Sequence, residues 1–598
     1  MRKRESICIN YWRNIVRRRT KAGLCGVVAT CLVVLLCLPM LWAAPGDEHK
    51  SDSKYGQFAP ADAFRDGSPL AYYGSENQWS RRQFSKTKAD RDYKRRGQRQ
   101  ILATIDGDPE QSILWAQSRL DADPDDLEAL FNQVVAWCEF EKVEKAIAPL
   151  QEALAKGLPL ERFLAGPRHL LQPLYETQEF QALLAKQPIQ LIHGPMLGDV
   201  TENSAKVWVR TVDENLVTVR ASAKFKRGSS IRSVEYGGEA KSRAEYDFTA
   251  VVEMVGLVPD TEYSYDVLID GKSVLKGERP QFKTRCRRGE STQIKIAFGG
   301  GAGFNPHLER MWDTIADYQP DSLFLLGDNV YIDLAEEPRG LHRYTYYRRQ
   351  SRPEFRRLVG STSVYAIWDD HDCGIDDVWM GPYVDRPIWK PSMLTVFKEN
   401  WVNPAYGNRA APGCWFDISI GDVDFFFLDT RNYRTNPFGE KPTMLGPVQK
   451  AWFLDAVKKS TAEFKVLVSS VPWAPEAKPG SNDTWDGFKA EREEIFSMLE
   501  ENKIEGVLLL SADRHRSDAW KIERTNGYPL YDMMSSKITN MHTHECFPNA
   551  LFCYNGGCSF GLLTIDTTED DPTATYEVVD IEGKVVHRLP LKKSELSY

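Results

Sequence analysis

The chain has 598 residues, which is too long for a single hydrophobic core and predicts three or four structural units. Apolar residues make up 42% and charged residues 27% of the sequence, as in ordinary globular proteins. The formal net charge of -8 argues against a general nucleic-acid-binding protein, because such a protein normally carries a basic stripe.

The N-terminal residues 1–44 have the layout of a secretory signal peptide. Basic residues precede an apolar run from Ala22 to Trp42, and the small residues Ala43 and Ala44 follow it. The apolar run is long enough to span a bilayer, so a retained anchor, and with it membrane contact, is the alternative to cleavage. Both interpretations predict an exported body, which would be periplasmic, secreted or at the cell surface. The Arg17-Arg18-Arg19 cluster leaves a twin-arginine export signal open.

Three units are predicted before the C-terminal part of the chain. Residues 45–98 are polar and lack periodicity, which indicates a flexible linker. Residues 99–187 have apolar residues at helical spacing and resemble a tetratricopeptide-type (TPR-like) helical region, which would bind a protein partner or pack on the next domain. Residues 188–287 alternate with a period of two and predict a β-sandwich. The sandwich segment resembles a fibronectin type III domain in its Gly-Leu-x-Pro-x-Thr-x-Tyr string from Gly256.

Residues 288–598 alternate short apolar runs with amphipathic helices, which predicts an α/β catalytic domain with a buried sheet. Several of the predicted strands end in carboxylates or imidazoles. Asp328 follows one such strand, Asp369-Asp370-His371-Asp372 follows another, and Asp513-Arg514-His515 follows a third. Because catalytic groups gather at the carboxyl ends of strands in open α/β sheets, these residues are expected to share one crevice.

Carboxylates crowded into one crevice repel one another unless cations neutralise them. Carboxylate, imidazole and phenol groups suit hard di- and trivalent metal ions. Two such ions can bind a phosphoryl group and activate a water molecule. The strand ends therefore predict a metal-dependent phosphoryl-transfer site.

The motifs that follow these strands resemble those of the alkaline phosphatase D (PhoD-like) family. The motifs are Gly327-Asp328-x-x-Tyr331, Trp-Asp-Asp-His-Asp from Trp368, Leu-Asp-x-Arg-x-Tyr-Arg from Leu428, and Asp513-Arg514-His515. The resemblance implies a four-layer αββα metallophosphoesterase domain related to the purple acid phosphatases. It also implies that a sandwich domain precedes this catalytic domain.

The resemblance implies two metal ions, iron and calcium, and assigns a role to each matching residue. Asp328 would bridge the ions, Tyr331 and His515 would bind the first ion, and Asp370 and Asp513 would bind the second. His371 would be a catalytic imidazole that hydrogen-bonds a phosphate oxygen or protonates the leaving group.

The chain departs from the family at Gly301, where relatives carry an Asp or Cys that binds the first ion. Fewer ligands, a different metal or a decayed site would each follow from this change. The glycine run could instead present backbone N–H groups to a phosphate, or form a plain turn. Ser470 falls where purple acid phosphatases carry a metal-binding His, and its hydroxyl is a poorer ligand.

Three further predictions concern residues near the crevice. Arg431 and Arg514 are candidates to bind the substrate phosphate. His542-Thr543-His544-Glu545 could supply missing metal ligands or form a surface turn. Cys546, Cys553 and Cys558 lie close together and could form a loop disulfide, although the chain is no disulfide scaffold.

Together these features predict an exported metal-dependent phosphoesterase in which a metal-activated hydroxide attacks a phosphate mono- or diester. The alternative is a non-catalytic or weakly active cell-surface binding or scaffold protein that retains the fold. Gly301 and the helical region motivate that alternative.

Overall fold

The computed structural model describes residues 92–227, 230–336 and 339–598. The predicted signal peptide and residues 45–91 of the predicted linker lie outside these described residues. Within the described ranges, no helix is both long enough and apolar enough to cross a membrane.

The helices that follow residue 97 pack against the α/β domain. The carboxylate of Asp126 accepts a hydrogen bond from the Ala129 N–H at 3.1 Å and so caps one of them. Phe131 of that helix shares a buried cluster with Leu341 and Tyr344 of the α/β domain. Of the two predicted roles of this region, packing on the rest of the chain is what the structure shows. The helices are α1 (Gln98–Ile105), α2 (Pro109–Ala122), α3 (Leu127–Glu139), α4 (Ile147–Ala155), α5 (Glu161–Ala165), α6 (Arg168–Tyr175) and α7 (Gln178–Lys186).

The prediction of a flexible linker is wrong for its last residues, 92–98. Residues 93–95 form a short 3-10 helix, and residues 94–98 are buried. The guanidinium of Arg348 donates hydrogen bonds to the carbonyl oxygens of Tyr93 (3.0 Å), Lys94 (2.7 Å) and Arg96 (3.1 Å). A polar composition predicts disorder only when no such partners exist, and here the α/β domain supplies them.

The predicted sandwich contains two facing layers of strands with a common apolar core. Val207, Val219, Val252 and Val267 are buried in that core. One layer is formed by the first, second and fifth strands and the other by the remaining strands. The strands are β1 (Leu191–Gly198), β2 (Ser204–Thr211), β3 (Leu216–Arg227), β4 (Ser230–Lys241), β5 (Thr249–Val255), β6 (Glu262–Ile269), β7 (Lys272–Ser273) and β8 (Gln281–Lys283).

The α/β domain follows the predicted alternation closely. Its strands are β9 (Gln293–Gly299), β10 (Ser322–Leu326), β11 (Ser363–Ile367), β12 (Phe416–Ile420), β13 (Val423–Phe427), β14 (Phe464–Val468), β15 (Val507–Ser511), β16 (Ser517–Ile522), β17 (Leu530–Met534), β18 (Phe552–Tyr554), β19 (Ser559–Asp566), β20 (Thr573–Asp580) and β21 (Val585–Lys592). Its helices are α8 (Met311–Asp317), α9 (Arg339–Gln350), α10 (Pro353–Ser361), α11 (Asp370–Cys373), α12 (Lys390–Asn400), α13 (Gly446–Lys459) and α14 (Lys489–Glu501).

Two sheets pack face to face in this domain, with helices outside them. The order of the first is β21-β20-β19-β9-β10-β11-β1-β2-β5, and that of the second is β12-β13-β14-β15-β17-β16-β18. The Phe324 ring on β10 contacts Phe425 and Phe427 on β13, with ring centroids 5.2 and 4.8 Å apart. Outside the second sheet, Phe453 of α13 packs on Phe426. This arrangement of paired sheets with outer helices is consistent with the four-layer fold that the resemblance implies.

The sandwich is not a detached unit, because β1 of the sandwich pairs in parallel with β11 of the α/β domain. One continuous sheet of nine strands therefore crosses the predicted domain boundary at residues 287 and 288. This continuity fixes the sandwich against the strands that carry the candidate site.

Replacing Phe324 with alanine should lower the free energy of unfolding by about 3–5 kcal/mol, because it leaves a cavity between the two sheets. Urea unfolding followed by tryptophan fluorescence measures the change. Leu114 on α2 is 60% exposed, so Leu114→Ala should change the same quantity by less than about 0.5 kcal/mol. Equal effects of the two substitutions would contradict the packing described for Phe324.

Candidate active site

Strand ends of both sheets meet at one cleft of about 670 Å³. Strands β9, β10 and β11 run parallel in one sheet, and β13, β14 and β15 run parallel in the other. The side chains that follow β10, β11 and β15 therefore converge, as the sequence predicts. The predicted residues that line the cleft are Asp328, Asp370, His371, Asp513, Arg514 and His515.

The backbone is strained at three of these residues. Asp328, Asp513 and His515 have φ values of +54°, +71° and +48°, in the left-handed region that side chains other than glycine rarely adopt. Such conformations persist only where the surrounding structure holds them, and they concentrate at functional sites. The surrounding structure therefore holds these three residues in backbone conformations that direct their side chains into the cleft.

The carboxylates of the cleft suit a metal ion. Asp328, Asp370 and His371 each offer a ligand atom, and these atoms all lie within 4.8 Å of one another. Asp328 Oδ1 and Asp513 Oδ2 are buried and accept no hydrogen bond. Buried oxygens without a partner are rare, and a bound cation would satisfy both of these. Burial raises the pKa of Asp328 well above its ordinary value, against the opposing charge of His371.

The His371 ring is held by a carboxylate that the sequence reading missed. Asp333 Oδ1 makes a short hydrogen bond with His371 Nδ1, and Asp333 Oδ2 accepts from Arg95 Nε. His371 Nε2 lies 3.4 Å from the exposed Asp376. Burial acts to lower the pKa of His371, but Asp333, Asp370 and Asp328 outweigh it and raise this pKa well above the ordinary value. These carboxylates therefore favour the protonated form of the His371 ring.

The groups on the predicted first-ion side are tied to one another. Tyr331 donates its hydroxyl hydrogen to Asp328 Oδ2 at 2.7 Å. The Asn540 amide nitrogen lies 2.6 Å from the Tyr331 hydroxyl oxygen and 3.0 Å from His515 Nδ1. His515 Nε2 lies 3.7 Å from Asp328 Oδ2. Burial, then Asp328, raise the pKa of Tyr331 well above its ordinary value, so the phenol is protonated here.

Lys94 enters the same side of the cleft from the segment before α1. Its ammonium lies 3.9 Å from the centroid of the Tyr331 ring and 3.4 Å from Asn540 Oδ1. Burial, and then the charge of Arg95, lower the pKa of Lys94 to about 8, against the opposing effects of nearby carboxylates. The sequence reading assigned no role to Lys94 because it lies within the predicted linker.

Gly301 has no room for the family's ligand. Its φ is +65°, and a Cβ atom built there would lie 2.9 Å from both the Lys537 nitrogen and the Ser536 hydroxyl oxygen. The Gly301 N–H donates to the Gly327 carbonyl at 3.2 Å, and the next N–H, of Ala302, donates to the Asp328 carbonyl. These N–H groups are therefore used within the fold, which contradicts the phosphate-binding interpretation at Gly301 and Ala302.

The two predicted substrate arginines have different surroundings. Arg514 lines the cleft, its Nη1 lies 3.7 Å from Asp513 Oδ2, and its buried Nε has no hydrogen-bond partner. Arg431 is fully buried, with its guanidinium bonded to Asp369 and, at 2.6 and 3.0 Å, to Asp483. The assignment of Arg431 to substrate binding is therefore wrong, because its donors are used to hold carboxylates beneath the cleft.

The loop after β14 supplies a lysine rather than a metal-binding histidine. Ser470 donates its hydroxyl hydrogen to Asp369 Oδ1 at 3.0 Å. Lys478 places its ammonium 3.2 Å from Asp377, 3.4 Å from Asp483 and 3.9 Å from Asp513. Burial alone would lower the pKa of Lys478, but these three carboxylates raise it above the ordinary value. Lys478 therefore stabilises the acidic wall from the second-ion side.

His542 and His544 lie beside His515, with ring centroids 5.3 and 5.8 Å from it. Both histidines line the cleft. His542 and Thr543 are exposed, so this segment lies at the surface, in agreement with the surface-turn interpretation. A disulfide joins Cys546 and Cys553 just after them, while Cys558 is a buried free thiol. Within the described ranges, neither these three imidazoles nor Asp513 belongs to a group of three side chains whose ligand atoms all lie within 4.8 Å of one another.

The paired sheets and the acidic cleft at their strand ends define a metallophosphoesterase-like α/β protein. Residues 296–543 match the family described as PhoD-like phosphatase. Residues 188–286 match the family described as Domain of unknown function (DUF7800). This second match covers the predicted sandwich, 188–287, almost residue for residue.

Similar proteins agree with this assignment. The chain is 32% identical over 135 residues to alkaline phosphatase D of Bacillus subtilis (strain 168), a match that covers 19% of the chain and 22% of the relative. The chain thus matches about a fifth of the length of this curated relative.

Two solved structures share the fold. The structure of PhoD superimposes with a TM-score of 0.53 and 18% identity, covering 66% of this chain and 88% of that chain. A purple acid phosphatase from yellow lupin (Lupinus luteus) seeds superimposes with a TM-score of 0.50 and 12% identity, covering 67% and 75%.

Replacing Gly301 with alanine should lower the free energy of unfolding by roughly 2–3 kcal/mol, because backbone strain adds to steric overlap. Gly271 is a matched control, since it has a φ of +79° but no atom within 4 Å of a built Cβ. Gly271→Ala should cost about 1 kcal/mol from strain alone. Chemical denaturation measures both values, and an equal loss would mean that the Gly301 site has room for a side chain.

Replacing Asp333 with asparagine should lower the pKa of His371, because it removes the first of the carboxylate charges that raise it. Titration of the His371 ring proton by NMR in chelator-treated protein measures the change. Asp317 is exposed on α8, so Asp317→Asn should leave the titration unchanged. An unaltered His371 titration in Asp333→Asn would refute the role assigned to Asp333.

Proposed function

We propose that the protein is an exported metal-dependent phosphoesterase. The observation that supports this proposal is the pair of buried carboxylate oxygens without hydrogen-bond partners, on Asp328 and Asp513, beside the His371 imidazole in one cleft. The PhoD-like family match supports hydrolysis of phosphoric esters.

The residues that would hold a metal ion are Asp328, Asp370 and Asp513. A cation bound there would supply Lewis-acid stabilisation of phosphoryl oxygens and activation of a water molecule. Hydrogen bonds hold both Asp328 and Asp370. Asp328 accepts from the Tyr331 hydroxyl at 2.7 Å, and Asp370 accepts from the N–H groups of His371 (2.9 Å) and Asp377 (2.7 Å). Such fixed carboxylates require little reorganisation when the ion binds.

His371 is placed to protonate the leaving oxygen. Asp333 holds its Nδ1, which leaves the Nε2 proton directed to the cleft. As the oxygen of water bonds to phosphorus and the ester P–O bond breaks, this proton would pass to the alkoxide or aryloxide. Arg514, with its unpartnered Nε, would bind a non-bridging phosphoryl oxygen.

The cleft is wide enough for an ester group on one or both sides of the phosphate, at about 670 Å³. The proposed substrates are therefore phosphate monoesters or diesters. Export, through a leader in residues 1–44, would place the enzyme among extracellular or periplasmic esters. The sandwich is proposed to be fibronectin III-like and the helical region TPR-like, and both would support the catalytic domain.

Asp328→Ala should abolish metal binding and hydrolysis together, because Asp328 is the central carboxylate of the cleft. Elemental analysis measures the bound metal, and release of 4-nitrophenol from its phosphate mono- and diesters measures turnover. Asp317→Ala on the exposed face of α8 is the control and should retain both.

Two results would contradict the proposal. One is hydrolysis retained in Asp328→Ala, and the other is a wild-type protein that binds metal but hydrolyses neither ester. The second result would favour the binding or scaffold alternative.

A further inference from the structure

The first-ion side of the cleft lacks a ligand at Gly301 and contains an ammonium group instead. The Gly301 backbone leaves no space for a side chain, since a built Cβ would also lie 3.2 Å from His515 Nδ1. Lys94 lies on this side, over the Tyr331 ring. A lysine ammonium carries a compact positive charge, and a metal ion on this side of the cleft would also supply positive charge.

Lys94 is held in place by a built network. Arg348 binds the carbonyl oxygen of Lys94 at 2.7 Å. Arg95, the next residue, binds Asp333, and Gln98 donates to the Tyr331 carbonyl oxygen at 2.5 Å. Gly303 offers no side chain against the Lys94 stem, because a Cβ built there would lie 3.2 Å from Lys94 Cδ. Contacts to the Lys94 backbone and to the aliphatic part of its side chain therefore hold this lysine in the cleft.

Lys94 also fixes the Asn540 amide. An ammonium group has only donors, so it must face Asn540 Oδ1, which lies 3.4 Å away. The amide nitrogen then donates to the Tyr331 oxygen and to His515 Nδ1. An imidazole that accepts at Nδ1 carries its proton on Nε2, and a protonated Nε2 does not bind a metal. These hydrogen bonds thus involve Tyr331 and His515, which the first ion would need as ligands.

The second-ion side remains suited to an ion. Asp328 Oδ1 and Asp513 Oδ2 accept no hydrogen bond, although Lys478 and Arg514 lie 3.9 and 3.7 Å from Asp513 Oδ2. Asp370 lies with Asp328 in the group whose ligand atoms converge. The remaining convergent group in the described ranges, Asp370, Asp377 and Asp483, is neutralised by Lys478. The donor set therefore fits one ion and does not fit two.

We propose that the Lys94 ammonium takes the place of the first metal ion, so that this chain binds a single ion between Asp328, Asp370 and Asp513. The inference rests on the proposed phosphoesterase function, because it assigns a one-ion site and a phosphate-facing cation to that activity. Lys94 and Asn540 become positioning residues of the cleft, and Lys94 becomes a candidate to contact the substrate phosphate.

The experiment counts ions in the full chain. Chelator-treated wild-type protein is titrated with Mn²⁺ and, separately, Zn²⁺ by calorimetry, and dialysed samples are assayed by elemental analysis. One ion per chain is expected. Asp513→Asn should lose it, whereas Tyr331→Phe should retain it, because Tyr331 binds no ion in this arrangement.

Lys94→Met tests the cation directly. Removing a positive charge beside a cation site should tighten binding of the ion by roughly tenfold, since like charges repel. The same substitution should raise KM for an aryl phosphate more than it lowers kcat, because a cation facing the substrate is lost. Lys142→Met changes an exposed lysine of the helical region and should alter neither quantity.

The outcomes separate this inference from the proposed function. Two ions per chain, one of them lost in Tyr331→Phe, would overturn the role of Lys94 and leave a two-ion phosphoesterase. Two ions that fall to one in a His542→Ala/His544→Ala variant would assign the missing ligand to those histidines and also overturn it. No ion together with no hydrolysis would overturn the function itself. If Lys94→Met fails to fold, as judged by circular dichroism, the ion counts of wild type and Tyr331→Phe still decide between one ion and two.

Discussion

Repulsion among buried carboxylates is the constraint around which this protein is arranged. Two sheets deliver Asp328, Asp369, Asp370 and Asp513 to one small region. Burial raises the pKa of Asp328 well above its ordinary value. Burial raises the pKa of Asp369 to about 7 even though Arg431 opposes it. A fold that gathers these groups must therefore supply positive charge from every neighbouring element, or leave them protonated.

The residues that supply positive charge come from separate parts of the chain and lie at different depths below the cleft surface. Arg431 neutralises Asp369 and Asp483 beneath the cleft, and Lys478 lies between Asp483 and Asp513 on its wall. Arg95 binds Asp333, which in turn holds His371. Each cation that is fully used in this way is unavailable to a substrate, which distinguishes Arg431 from Arg514.

The α/β domain and its strand-end residues were predictable from sequence because their signals are local. Strand β10 (Ser322–Leu326) and helix α13 (Gly446–Lys459) belong to the alternation of short apolar runs and amphipathic helices predicted for residues 288–598. Asp328, Asp370 and Asp513 could be placed because carboxyl ends of parallel strands share an edge. Lys94, Asp333 and Asn540 could not, because their roles depend on contacts between residues far apart in the chain. A buried lysine in a polar segment has the same local sequence as an exposed one.

The bond between Lys94 and Asn540 joins residues 446 positions apart, and it crosses almost the whole described chain. Contacts of such long range form late, since the loop between them must be closed first. During synthesis from N-terminus to C-terminus, Lys94 is made before the carboxylates at the strand ends, and Asn540, His542 and His544 follow them. The positive and negative groups of the cleft are therefore all present only when synthesis of the catalytic domain is nearly complete.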